Sequence, residues 1–175
     1  MNRQTNKFLP EVAFNDILRL YEFDEKLRSV LFQAIERIEI ATRTRISYHF
    51  SMAHQSPDND SHYCVKHFSD MEKHEEIFDK KLKDQIEKNK SIPFVKRHLC
   101  TYNGRMPLWA AVEMLSFSCV SILYSIMLTD DKKEIAKSFD CAAPYLENWL
   151  HVLSVLRNRC AHFVRIYASS ITPPV

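Results

Sequence analysis

Near the C-terminal end, Arg157-Asn158-Arg159-Cys160-Ala161-His162 sets two guanidiniums, an amide and an imidazole into an apolar helical pattern. Asn158 and His162 are four residues apart, so on a helix they share a face about one turn apart. The Asn158 amide is expected to orient the imidazole and hold its tautomer. Arg159, three residues before His162, is a second neighbour. Arg157 lies five before it, roughly 140° away around an ideal helix axis. Arg157 and His162 therefore meet at one substrate through a distorted helix, a wrapping side chain or a second copy of the chain, and this geometry favours a dimeric site.

Arginine plus histidine, with no carboxylate pair and no metal-ligand spacing, suits one reaction well. RNA is cut when its own 2′-hydroxyl attacks the adjacent phosphorus. One proton must leave that hydroxyl and another must reach the departing 5′-oxygen, and histidine, with an ordinary pKa near neutrality, does either. The charge on the phosphoryl oxygens needs a partner, and the planar guanidinium fork fits it. No metal or cofactor is required. On this reading His162 is the general acid or base, Arg157 holds the scissile phosphate and Asn158 sets the histidine. Arg159, Arg165, Arg43 and Arg45 are candidates for guiding RNA along the surface. Cys160 has no acid–base partner at a nucleophile's spacing and reads as a small buried residue. His49, His54, His62 and His67 lack metal-ligand spacing and read as surface residues.

These groups must be placed by helices. Residues 16–23 read as a short helix, after which Asp24 is expected to cap a long one. From Leu27 the apolar positions 27, 31, 34, 35, 38, 42, 46 and 50 repeat close to every 3.6 residues, carrying that helix to about His54. SPDND at 56–60 is turn chemistry. Ser69-Asp70-Met71-Glu72 reads as a capping box opening a charged helix to about Lys90. Ser91 and Pro93 start a shorter one, ending before the YNGR turn at 102–105. Thr129 opens another. Pro144 opens the last long helix, from Tyr145 to about Ala168, with Leu146, Leu150, Leu153, Val155, Leu156, Ala161, Val164 and Tyr167 as its buried stripe. ITPPV is a tail.

Between Trp109 and Leu128 the sole charge is Glu113. The length would suit a membrane span, but four serines and the glutamate dilute it, so it reads as a buried central helix. Glu113 is expected to cap or to pair with a buried arginine. The alternative is a carboxylate lining the site beside Arg157. The pattern is an all-α bundle with two long helices and one apolar central helix.

The totals agree. A chain of 175 residues, 46 % hydrophobic, supports one domain over residues 1–175, with its core at about 14–168 and a tail at 169–175. A single glycine argues against a sandwich or barrel. The formal charge of +2 neither demands nor excludes nucleic acid. Five cysteines without a CxxC pair read as reduced thiols of a cytoplasmic protein, and the N-terminus has no secretory h-region.

The same six residues resemble the R-X4-6-H motif of HEPN-domain ribonucleases. Four blocks in order, LYEFDEKLR (20–28), ERIEIATRTRISYH (36–49), MPLWAAVEMLSF (106–117) and LRNRCAH (156–162), resemble the Abi-like family of bacterial abortive-infection proteins. The resemblance spans about Phe14 to Tyr167. It implies a HEPN-like helical bundle that dimerises so that two motifs line one cleft. It also implies metal-independent endoribonuclease action in phage defence or toxin–antitoxin systems, with RNA as substrate and a regulatory RNA or antitoxin as further partner. Phe163 and Val164 stand where many members carry a second His and a Ser. Val164 also replaces the tyrosine of toxins modified by a nucleotidyltransferase, so that regulation is not expected. Longer members have an N-terminal segment lacking here, which implies a short form or an excised domain. Two other readings stand beside the nuclease: a non-catalytic RNA-binding module and a helical protein-interaction partner.

Overall fold

A computed structural model of the protein describes residues 12–101 and 105–170. The N-terminus, most of the expected YNGR turn and the ITPPV tail lie outside the described residues. Within them every regular element is helical, and the expected all-α bundle forms. Helix α1 spans Phe14–Ala53 and α2 spans Met71–Glu75, continuing through a π-helical stretch, Glu76–Leu82, into α3 (Lys83–Asn89). Then follow α4 (Pro93–Thr101), α5 (Leu108–Met114), α6 (Phe117–Ile126), α7 (Thr129–Lys137) and α8 (Ala143–Ala161). Helix α1 packs against α5, α7 and α8, and α6 packs against α8 and α2. One isolated antiparallel bridge joins Phe68 to Met127.

The apolar stripe read from α1 holds in its second half, where Ile35, Thr42, Ile46 and Phe50 are buried, whereas Leu27, Leu31 and Ile38 are half-buried and Ala34 is exposed. Ile35, Ile46 and Phe50 meet Val112, Leu115, Val120, Leu123 and Tyr124 in the core. The first part of α1 differs from expectation. It runs unbroken for 40 residues, about 60 Å at 1.5 Å per residue. Nothing between Phe23 and Leu27 breaks a helix, and Asp24 is no cap. Its buried carboxylate pairs with Arg28 and accepts the backbone N–H groups of Ile166 and Tyr167 at 2.9 and 2.7 Å. The turn at 56–60 forms as expected, with Ser56 and Asp60 bonded to each other and Asn59 at φ 51°. The cap of α2 falls one residue late. Asp70 accepts the Lys73 N–H, while Ser69 reaches across to the Ile126 carbonyl.

The central apolar run is two helices. Leu115 is extended (ψ 146°), and Ser116 caps α6 by accepting the Cys119 N–H. The break orphans carbonyls at the end of α5, and the Arg43 guanidinium donates to those of Val112 and Leu115. Among the described residues no helix is long and apolar enough to cross a membrane.

Helix α8 stops at Ala161, short of the expected Ala168. The Phe163 N–H bonds to the Cys160 carbonyl and the Val164 N–H to that of Arg159, a Schellman closure. Phe163 takes the left-handed position at φ 57°. Val164 and Tyr167 consequently leave the expected stripe and are exposed. The histidines also depart from expectation. His62 is fully buried, and His54 is tied to Asp131 at 2.9 Å with the His67 ring 4.1 Å away.

Candidate active site

The motif occupies the last turn and a half of α8, and α1 runs alongside it. Arg157 turns toward α1. Its Nε lies 3.4 Å from Glu39 Oε2, and its guanidinium carbon sits 5.6 Å from the centre of the Phe32 ring. Glu39 Oε1 accepts from Arg43, so one carboxylate bridges two arginines. These residues line a cleft of about 240 Å³ with Glu36, Ile40 and Glu113. Glu113 is exposed at its rim. That is the site-lining placement, not the capping or buried ion-pair role favoured from the sequence. A larger cavity of about 880 Å³ opens at the start of α8, between Lys132, Glu147 and His151, away from the motif.

Asn158 and His162 are linked through backbone. The His162 N–H bonds to the Asn158 carbonyl at 3.0 Å. The Asn158 side chain goes elsewhere, donating to Ser118 Oγ on α6 at 3.1 Å. It thus fixes α8 to α6 in place of the expected grip on the imidazole. His162 is the cap residue of α8 and is exposed. Within one chain, then, Arg157 faces α1 while His162 stands free at the helix end. Among the described residues no side-chain hydrogen bond or ion pair joins them.

Two of the arginines expected to guide RNA are structural instead. Arg43 is buried, its donors taken by Val112, Leu115 and Glu39. Arg45 donates to the Ser138 carbonyl and stacks over Phe139 at 4.1 Å. Both sit on the face of α1 that meets α5 and α7, which a positive count along the sequence does not reveal. Arg159 bonds Ser169 Oγ at 3.2 Å, and Arg165 is exposed.

Asp24 braces the segment after His162. Burial raises its pKa, but the amides of Tyr167 and Ile166 and the charges of Arg28 and Arg165 outweigh that and hold it below the ordinary aspartate value. Burial pushes the Cys160 thiol up, as an inert structural cysteine requires. All five cysteines are free. Among the described residues no group of three His, Cys, Asp or Glu side chains is arranged to hold a metal ion.

Sequence reasoning missed Glu39, Phe32, Asp24 and Ser118. A signal existed for the first. Glu39 and Arg43 are four apart on α1, the spacing of a helical ion pair. Nothing in the sequence showed that Arg157, 118 positions away, shares that carboxylate.

The family described as Abi-like protein matches residues 1–168. No curated protein matches the chain, and no solved structure does.

Proposed function

The chain belongs to the Abi-like family, and from that premise we propose that it is a metal-independent endoribonuclease of bacterial anti-phage defence, of the abortive-infection or toxin–antitoxin kind. The observation that carries this reading is the state of the two motif groups. Arg157 meets Glu39 through its Nε at 3.4 Å and the Phe32 ring on one face, which leaves its Nη edge for a phosphate. His162 is exposed, with its ring available to a substrate proton. The two point apart within one chain. A homodimer that brings the Arg157 of one copy to the His162 of the other would complete the site, and the five-residue spacing favours that composite arrangement.

In this mechanism one imidazole takes the 2′-hydroxyl proton. The oxygen attacks phosphorus, and charge on the phosphoryl oxygens falls on the Arg157 fork. A second proton, from the other copy's His162 or from solvent, goes to the leaving 5′-oxygen. The products carry a 2′,3′-cyclic phosphate and a 5′-hydroxyl. Arg159 and Arg165 are the remaining basic contacts for RNA. The reading places the work in the cytoplasm, where RNA is found.

The test is cleavage of a mixed RNA pool in EDTA, with mapping of the ends. His162→Ala and Arg157→Ala are each expected to lower the rate by about 100-fold or more. Equal cleavage by His162→Ala and the parent overturns the assignment.

One observation favours a second reading. Arg43 and Arg45 are consumed by the fold, and the cleft around Arg157 carries three carboxylates, so the basic track for RNA is thin. A helical module that grips a protein partner needs no such track. Binding of a protein partner with neither RNA affinity nor cleavage would identify it.

A further inference from the structure

We propose that Glu39 is the positioning residue of the motif arginine: it holds Arg157 by its Nε edge so that the Nη edge is left for a phosphate. The inference rests on the reading of Arg157 as the phosphate holder, and its grounds are geometric. A guanidinium has two ways to meet an anion, along the Nε–Nη side or across the two Nη groups. Glu39 Oε2 takes the first at 3.4 Å. Among the described residues no hydrogen bond occupies the second. The Phe32 ring lies under the guanidinium with its centre 5.6 Å from Cζ, which restrains rotation of the plane.

Glu39 is itself fixed from behind. Its other oxygen accepts from Arg43, whose remaining donors close the carbonyl end of α5 at Val112 and Leu115. The side chain of Glu39 is 13 % exposed and that of Arg43 10 %, whereas that of Arg157 is 35 % exposed. Order thus passes outward from a buried helix break, through Arg43 and Glu39, to the half-exposed Arg157. Glu39 between two guanidiniums leaves that trio net positive, but Glu36 and Glu113 line the same cleft, so the role rests on the unoccupied Nη edge of Arg157 and not on the charge of the cleft.

The experiment uses the full chain, the RNA cleavage assay and an NMR readout of the Arg157 Nε–H group. Its resonance is assigned by its loss in Arg157→Lys. The variants are Glu39→Ala, Glu39→Gln, Arg157→Ala and the double Glu39→Ala/Arg157→Ala, each checked for its helical circular dichroism. Glu39→Ala is expected to lower kcat by ~10- to 100-fold with KM changed by less than about 3-fold. In the Arg157→Ala background the same change should cost little further, since both act through one guanidinium. The Nε–H signal, protected in the parent, should exchange rapidly in Glu39→Ala. Glu39→Gln, isosteric and uncharged, should fall between the two and serves if Glu39→Ala misfolds. Parental kcat in both Glu39 variants, or full additivity with Arg157→Ala, would overturn the positioning role. If the parent cleaves no RNA, the nuclease reading fails on that result alone. The Nε–H signal then decides separately, and its survival in Glu39→Ala would refute the grip.

Discussion

Phe163 occupies the left-handed turn position immediately after His162, at φ 57°, and the residue is 81 % exposed. A residue with a Cβ is disfavoured there by about 1–2 kcal/mol, and helices ordinarily place glycine at that point. Phe163→Gly should relieve most of this while giving up almost no packing. The gain is offset in part by the freer unfolded glycine. A Tm rise of about 2–4 °C is expected from roughly 1 kcal/mol in a chain of this size, and an unchanged or lower Tm would show that the ring makes a contact worth the strain. Asp24 is the opposite case. Buried against Arg28, it also accepts two amides of the chain that follows the motif. Asp24→Ala strands a buried guanidinium and two N–H groups, which should cost about 3–5 kcal/mol in chemical denaturation. The amides of Ile166 and Tyr167 should lose their hydrogen-exchange protection first. Equal loss across the whole chain would place the effect in the core rather than in that segment.

The helix break between α5 and α6 shows which features of an element are legible in sequence. Hydrophobic run length located the segment 109–128 and its burial correctly, because those follow from local composition. The break was invisible because it depends on a partner far away. Ser116 supplies a cap for α6, but serine also sits inside helices, and Arg43, 72 positions from Leu115, is what makes the buried, otherwise unpaired carbonyls at the end of α5 tolerable. The same cause explains why Arg43 and Arg45 read as RNA contacts. Charge counted along α1 does not say which charges turn inward. Arg157, Asn158 and His162, by contrast, were singled out as candidates by their residue types together with the four ordered blocks that resemble the family, and their side-chain partners, such as Ser118 for Asn158, were not legible. Arg43→Met keeps the bulk and removes the donors. It should leave the Val112 and Leu115 carbonyls and Glu39 without that partner and destabilise the chain by about 3 kcal/mol or more. Arg43→Lys, retaining charge but not the fork, should recover only part of that. If Arg43→Met melts with the parent, the guanidinium is not what sustains the break.

At the scale of the molecule, acid should loosen this fold well before its carboxylates titrate, because one histidine is sealed inside it. His62 is fully buried against Tyr63 and Phe78. Burial brings its pKa down from 6.5 to about 3; the charge of Asp60 pulls the other way without compensating, and His74 nearby adds to the lowering. The sign is fixed by linkage. Between those values the unfolded chain binds a proton that the folded chain refuses, so stability is complete above pH 6.5 and declines as pH falls toward 3. The slope for one such group is about 1.4 kcal/mol per pH unit. Burial lowers the pKa of His67 as well, which acts in the same direction. Asp24, whose folded pKa is also lowered, stabilises the protein above the ordinary aspartate value and is lost only below it. The two effects therefore arrive in order, histidine first. Urea unfolding followed from pH 7.5 to 4.5 should show a steady fall in midpoint beginning near pH 6.5. His62→Leu, apolar and of similar bulk, should remove most of that fall while leaving the Asp24 effect in place at lower pH. The same slope in parent and variant would mean that His62 takes up its proton inside the fold, and the interior around Tyr63 and Phe78 would then have to be more polar than its side chains imply.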